Sequence, residues 1–135
     1  MRKVISAILA VCIVMALPLS VLAMEEKTTV NPRYSYISSL TGTVTINSSG
    51  TAICSASGKA QNSSHKVQLN CQLQGYTGSY WSLIKSWSTI STGSASIYKT
   101  QATSSGYSSY RLQITCKVYD SSSVLLESVT IYRYP

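Results

Sequence analysis

Residues 107–119 read YSSYRLQITCKVY. Tyr110, Leu112, Ile114, Cys116 and Val118 take alternate positions, and Arg111, Gln113, Thr115 and Lys117 fill the places between them. A β-strand turns successive side chains to opposite faces, so this alternation describes a strand with one face in a core and the other in water. A strand of this length belongs inside a sheet, with a neighbour on each side. The rest of the chain then has to supply those neighbours and an opposing layer.

Working outward, residues 66–74 repeat the pattern most cleanly. Val67, Leu69, Cys71 and Leu73 point one way, and Gln68, Asn70, Gln72 and Gln74 the other. Residues 34–40 read as a first strand. Residues 42–47 alternate through Val44 and Ile46, and 51–59 through Ala52, Cys54 and Ala56. Further extended stretches cover 80–89, 94–103 and 124–134. Turn residues separate them at 48–50, 76–79, Gly93, 105–106 and 120–123. About seven short strands at this spacing predict an all-β antiparallel sandwich or small barrel. Serine, threonine and β-branched residues are abundant, and no apolar pattern of period 3.6 supports a helix in this part of the chain.

Residues 1–23 read as a signal-peptide helix. Arg2 and Lys3 form its positive start, residues 4–17 its apolar stretch, and Pro18 its break before Val21-Leu22-Ala23. The expected organisation is a cleaved signal at 1–23, a flexible segment at 24–33 and one domain at 34–135. A cleaved signal implies a secreted protein, extracellular or loosely held at the cell envelope, with no stable membrane insertion afterwards.

The whole sequence has 11 Lys and Arg residues against 4 acidic ones. The positive residues of the domain are scattered singly, from Lys59 to Arg133, so they do not form the clustered footprint of a nucleic-acid binder. A dispersed positive surface suits attraction to anionic polymers, or plain solubility.

The residue inventory argues against an enzyme. His65 is the only histidine and lies in a polar loop, and a Ser-His-Asp triad would have to join it to Asp120. A glycosidase needs two carboxylates facing one cleft, and Asp120 with Glu127 is a weak pair for that. The spacing of the cysteines and one histidine does not make a zinc site, and no glycine-rich phosphate loop is present. No catalytic residue, cofactor or metal is therefore expected. The aromatic set is ten tyrosines and two tryptophans with no phenylalanine. Such side chains suit half-exposed positions. Tyr76, Tyr80, Lys85 and Trp87 gather around one predicted hairpin and are the candidate ligand contacts, while Trp81 is expected in the core.

Residues 73–87, LQGYTGSYWSLIKSW, resemble the hairpin of small immunoglobulin-like modules of bacterial cell-surface proteins. There an L-Q strand runs through a glycine turn to a tryptophan-centred strand. The Y-R-x-x-x-x-C-x-V stretch from Tyr110 resembles them too. The chain from residue 36 to residue 134 is also similar to small exported proteins of Gram-positive bacteria. These share an SGTA-C-SAS-like strand, a W-S-x-I-K-x-W hairpin and a GY-x-x-Y-R strand. That group carries no established activity, so the resemblance implies an immunoglobulin-like β-sandwich and export, and supplies no site residues. The function it implies is a non-catalytic binding or structural module. Its expected partner is a cell-wall polymer, a glycan or another surface protein. The alternative is a small cationic secreted effector of bacteriocin type.

The cysteines are not part of that shared pattern. An immunoglobulin-type sandwich brings its second and sixth strands together across the core, and in that register Cys54 pairs with Cys116 as a disulfide. The competing expectation is that Cys54, Cys71 and Cys116 are all buried free thiols.

Overall fold

The computed structural model describes residues 33–135; the expected signal peptide at 1–23 and the residues up to 32 lie outside the described part. Seven strands follow one another: β1 (Ile37–Ile46), β2 (Thr51–Ala60), β3 (Lys66–Tyr76), β4 (Trp81–Thr92), β5 (Ser94–Ala102), β6 (Ser109–Tyr119) and β7 (Leu125–Arg133). The two stretches expected at 34–40 and 42–47 are one strand, β1. Its register shifts between Ile37 and Ser39 and runs unbroken through Thr41 and Gly42.

The strands form two antiparallel sheets, ordered β1-β2-β5 and β4-β3-β6-β7. β6 lies between β3 and β7, as its alternation requires. The inner residues of both sheets meet in one core. The four-stranded sheet contributes Val67, Leu69, Leu73, Leu112, Ile114 and Val118, all with no solvent exposure. Facing them, β2 contributes Ala52, Cys54, Ala56 and Ala60, together with Gly58. The pairing of small against large is close. A methyl group added at Gly58 would lie 3.0 Å from Cys116 Sγ and 3.2 Å from Leu69 Cδ2, and one added at Gly42 would overlap Ile114 Cδ1.

The corners follow from turn chemistry. Asn47 Oδ1 accepts hydrogen bonds from the Ser49 and Thr51 amides, and Asp120 Oδ1 accepts from those of Ser122 and Val124. Such side-chain acceptors imitate a backbone turn. The chain passes from β4 to β5, and so between sheets, through Gly93 alone. Its φ of 81° lies in the left-handed region that glycine enters without a Cβ penalty. Its amide donates to the His65 carbonyl at 2.7 Å, and its carbonyl accepts from the Ala60 amide at 2.9 Å. At the same end of the core, Glu127 on β7 accepts the backbone N–H groups of Ser35, Tyr36 and Ile37 at 3.0, 2.8 and 3.0 Å. One carboxylate thus ties the start of β1 to β7.

The expected Cys54–Cys116 disulfide is absent. All three cysteines of the described residues are buried free thiols, and no two are at bonding distance. The reason is register. Cys116 faces Gly58, four residues along β2 from Cys54, a displacement of about 13 Å at ~3.3 Å per strand residue. The thiol that neighbours Cys54 is Cys71. Burial pushes Cys71 up to about 12 from an ordinary 9.0, and the Cys54 thiol adds to the rise. Burial likewise raises Cys54 to about 11. Cys116 also reaches about 11, chiefly by burial, with the Glu127 charge adding to it.

Candidate functional site

Residues paired directly across an antiparallel ladder share a face, so the register sorts the side chains of the aromatic hairpin. Trp87 is opposite Cys71 and Lys85 opposite Leu73, both inner positions. Trp81 is opposite Tyr76, and Leu83 opposite Gln74, both outer positions. The register shifts next to Leu73 and Gln74, where β4 carries the extra residue Ile84. A bulge of this kind turns the following side chains to the other face. Trp81 is therefore on the outer surface, not in the core as expected. Trp87 packs against the core and lines a groove of about 430 Å³ between β4 and β5, with Thr89, Ser96, Tyr98 and Lys99.

The four expected ligand contacts are therefore divided. Tyr76 is on the outer face of the four-stranded sheet, Tyr80 is exposed in the hairpin turn, and Lys85 and Trp87 are directed to the inner side of the β4 edge.

The outer face instead collects a group that spans all four strands of that sheet. Tyr76 and Trp81 pack with ring centroids 5.1 Å apart, and Tyr134 meets Trp81 edge-on at 6.3 Å. The Arg111 guanidinium lies over the Trp81 ring at 4.2 Å and over the Tyr132 ring at 4.5 Å. Cation–π contacts of this length hold the side chain in one place. The Arg111 Nε–H donates to Gln74 Oε1 at 2.7 Å. Gln74 in turn donates from Nε2 to the Oε1 atoms of Gln72 and Gln113, each at 3.1 Å. Gln74 is only 9% exposed although no layer of the described residues covers this face. Its neighbours bury it, and the network satisfies its amide.

The alternation alone puts Arg111 on the wet face of its strand. Its partners Trp81 and Tyr132 belong to β4 and β7 and come together only through the sheet order, so no local pattern marks them. The outer face of the other sheet is different in kind. Thr41, Thr43 and Thr45 align there with Ser57, Ser55 and Ile53, and then with Ser96, Tyr98 and Thr100. That surface is mostly hydroxyls.

The acidic residues have structural engagements. Asp120 shapes a turn and Glu127 binds the start of β1. The His65 ring sits beside Tyr36 at 6.2 Å, and its Nδ1 is buried without a hydrogen-bond partner in the described residues. Among those residues no three His, Cys, Asp or Glu side chains converge as a metal site. No helix in the described part is long and apolar enough to cross a membrane. The chain matches no protein-family model, and no curated protein is significantly similar to it.

Proposed function

We propose that this chain is a non-catalytic binding module, exported behind a cleaved signal peptide and built as an immunoglobulin-like β-sandwich. The observation that carries the binding role is the outer face of the β4-β3-β6-β7 sheet. Tyr76, Trp81, Tyr132, Tyr134 and Arg111 are gathered there over a hydrogen-bonded row of glutamines. Aromatic side chains with a polar edge and an ordered amide row suit recognition of a polymer at a wet surface.

Two features support the immunoglobulin-like reading. The first is the sheet order, with the fourth strand beside the third, as the extra strands of variable-type domains join that sheet. The second is Tyr110 at the start of β6, whose hydroxyl donates to the Ser104 carbonyl at 2.8 Å. This matches the tyrosine corner of such domains, where the sixth-strand cysteine comes two residues after the tyrosine. Here that position is Leu112, which accounts for a Cys116 out of line with Cys54. The resemblance to small exported immunoglobulin-like proteins of Gram-positive bacteria belongs to the same reading, with a cell-wall polymer or glycan as the partner.

Binding to purified cell wall and to a glycan array tests the proposal. Trp81→Ala should reduce retention about fivefold or more, since it removes the ring that holds Arg111 and Tyr134 in place, and losing one aromatic contact typically costs ~1–3 kcal/mol. The domain should stay folded, with its thermal midpoint lowered by only several degrees, because Trp81 packs on Tyr76, Tyr134 and Arg111 but is outside the core. Unchanged retention on both materials would refute this face as the binding surface.

A further inference from the structure

The geometry points to a carboxylate receptor at Arg111, so that the polymer this face takes is an acidic polysaccharide of the uronic acid class. The inference rests on the binding reading above and adds the ligand's charge and its contact residue.

Three observations carry it. First, Arg111 is held in advance. Its guanidinium lies over the Trp81 and Tyr132 rings and its Nε–H is fixed on Gln74, while its two Nη groups have no hydrogen bond among the described residues. A guanidinium is always charged and presents paired donors that match the two oxygens of a carboxylate. Little side-chain freedom is left to lose on binding, which favours affinity.

Second, no carboxylate of the described residues competes for Arg111, since neither acidic residue of that part lies beside it. Asp120 follows the far end of β6, nine residues and about 30 Å away along the strand. The Glu127 carboxylate is committed to three backbone amides of β1's start.

Third, the rings divide the work. Arg111 covers one face each of Trp81 and Tyr132, so these are poor platforms for a neutral sugar. Tyr134 is 60% exposed and meets Trp81 edge-on at 6.3 Å. It leaves ring surface for a pyranose beside its carboxylate. A glycerol phosphate chain has no ring to use it.

Affinity electrophoresis of the purified protein through gels containing polygalacturonate, poly(glycerol phosphate) or neutral dextran tests this, with Trp fluorescence as a second readout beside Arg111. Polygalacturonate should retard the protein and quench or shift the Trp81 emission, and dextran should do neither. Arg111→Gln should raise the Kd for polygalacturonate at least about tenfold. Arg111→Lys should do nearly the same, because a point charge lacks the fork, and it covers the case in which the glutamine variant does not fold. Lys99→Gln removes the same charge from the other sheet and should change the Kd less than about twofold. Equal losses for Arg111→Gln and Lys99→Gln would reduce the effect to net charge and overturn the assignment. Tighter binding of poly(glycerol phosphate) would overturn the carboxylate class, and absence of retardation by polygalacturonate would overturn the site. Retention on dextran or on neutral wall glycans that disappears in Trp81→Ala but persists in Arg111→Gln would leave the binding module standing and remove its acidic ligand.

Discussion

The two sheets contribute unequally to the core they share. β3 and β6 fill it with valine, leucine and isoleucine side chains, whereas β2 lines it with alanine, cysteine and glycine. The difference is one of division of labour. Most of the side-chain volume comes from β3 and β6, with Ile37, Val44 and Ile97 added from β1 and β5, and the central strand β2 offers backbone that approaches it closely, as the contacts at Gly58 show. Interiors pack as densely as organic crystals, so a layer of small residues is a requirement once the opposite layer is large. It follows that the two sheets should fail differently when changed. Truncation should hurt on β3 and β6, and enlargement should hurt on β1 and β2.

The largest effect is expected from truncation. Leu112→Ala should cost about 2–5 kcal/mol in urea unfolding, because the small side chains opposite cannot move in to close the space. A loss within about 0.5 kcal/mol, the range of surface changes, would break the comparison.

Next come the thiols, which both layers supply. With folded values of about 11 to 12 against an ordinary 9.0, they stay protonated where free thiols ionise. At pH 8 the folded protein should react with a thiol reagent at least about a hundredfold more slowly than the unfolded chain, the ratio set by its smaller thiolate fraction. The linkage has a definite sign. A value raised in the folded state means stability that is fully present below about pH 9. It declines above that, as the unfolded chain releases protons the folded one retains. The urea midpoint should therefore fall between pH 9 and pH 11, and fall less in Cys71→Ala. Fast native labelling would show that the layers part readily.

The smallest effect sharpens the comparison most. Gly42→Ala should cost about 1–3 kcal/mol by overpacking against Ile114. Ile114→Val removes the overlapping methyl group, so the double variant should be more stable than the sum of the single losses predicts. Strict additivity would mean that Gly42 is required for some reason other than space.

The strands were legible in the sequence because their alternation is set by the core itself, and Leu69, Leu112 and Ile114 are buried as the pattern implies. What was not legible depended on single-residue register. One bulge at Ile84 puts Trp81 and Trp87, which a regular strand would hold on one face, on opposite faces, and four residues of offset separate Cys116 from the place opposite Cys54. Neither bulge nor offset leaves a mark in composition or periodicity. The Arg111 group was hidden for a different reason, since its members lie on four strands and share no motif.

The Glu127 contact has a mechanical side. The backbone amides it holds belong to Ser35, Tyr36 and Ile37, the residues by which the chain enters β1. A pull exerted on the chain at Arg33 meets the Gln61 side-chain bond to the Tyr34 carbonyl and then those three bonds before it reaches the β1–β2 ladder. One amide and one carboxylate thus stand ahead of the strand against tension, and the ladder behind them is loaded only after that grip yields.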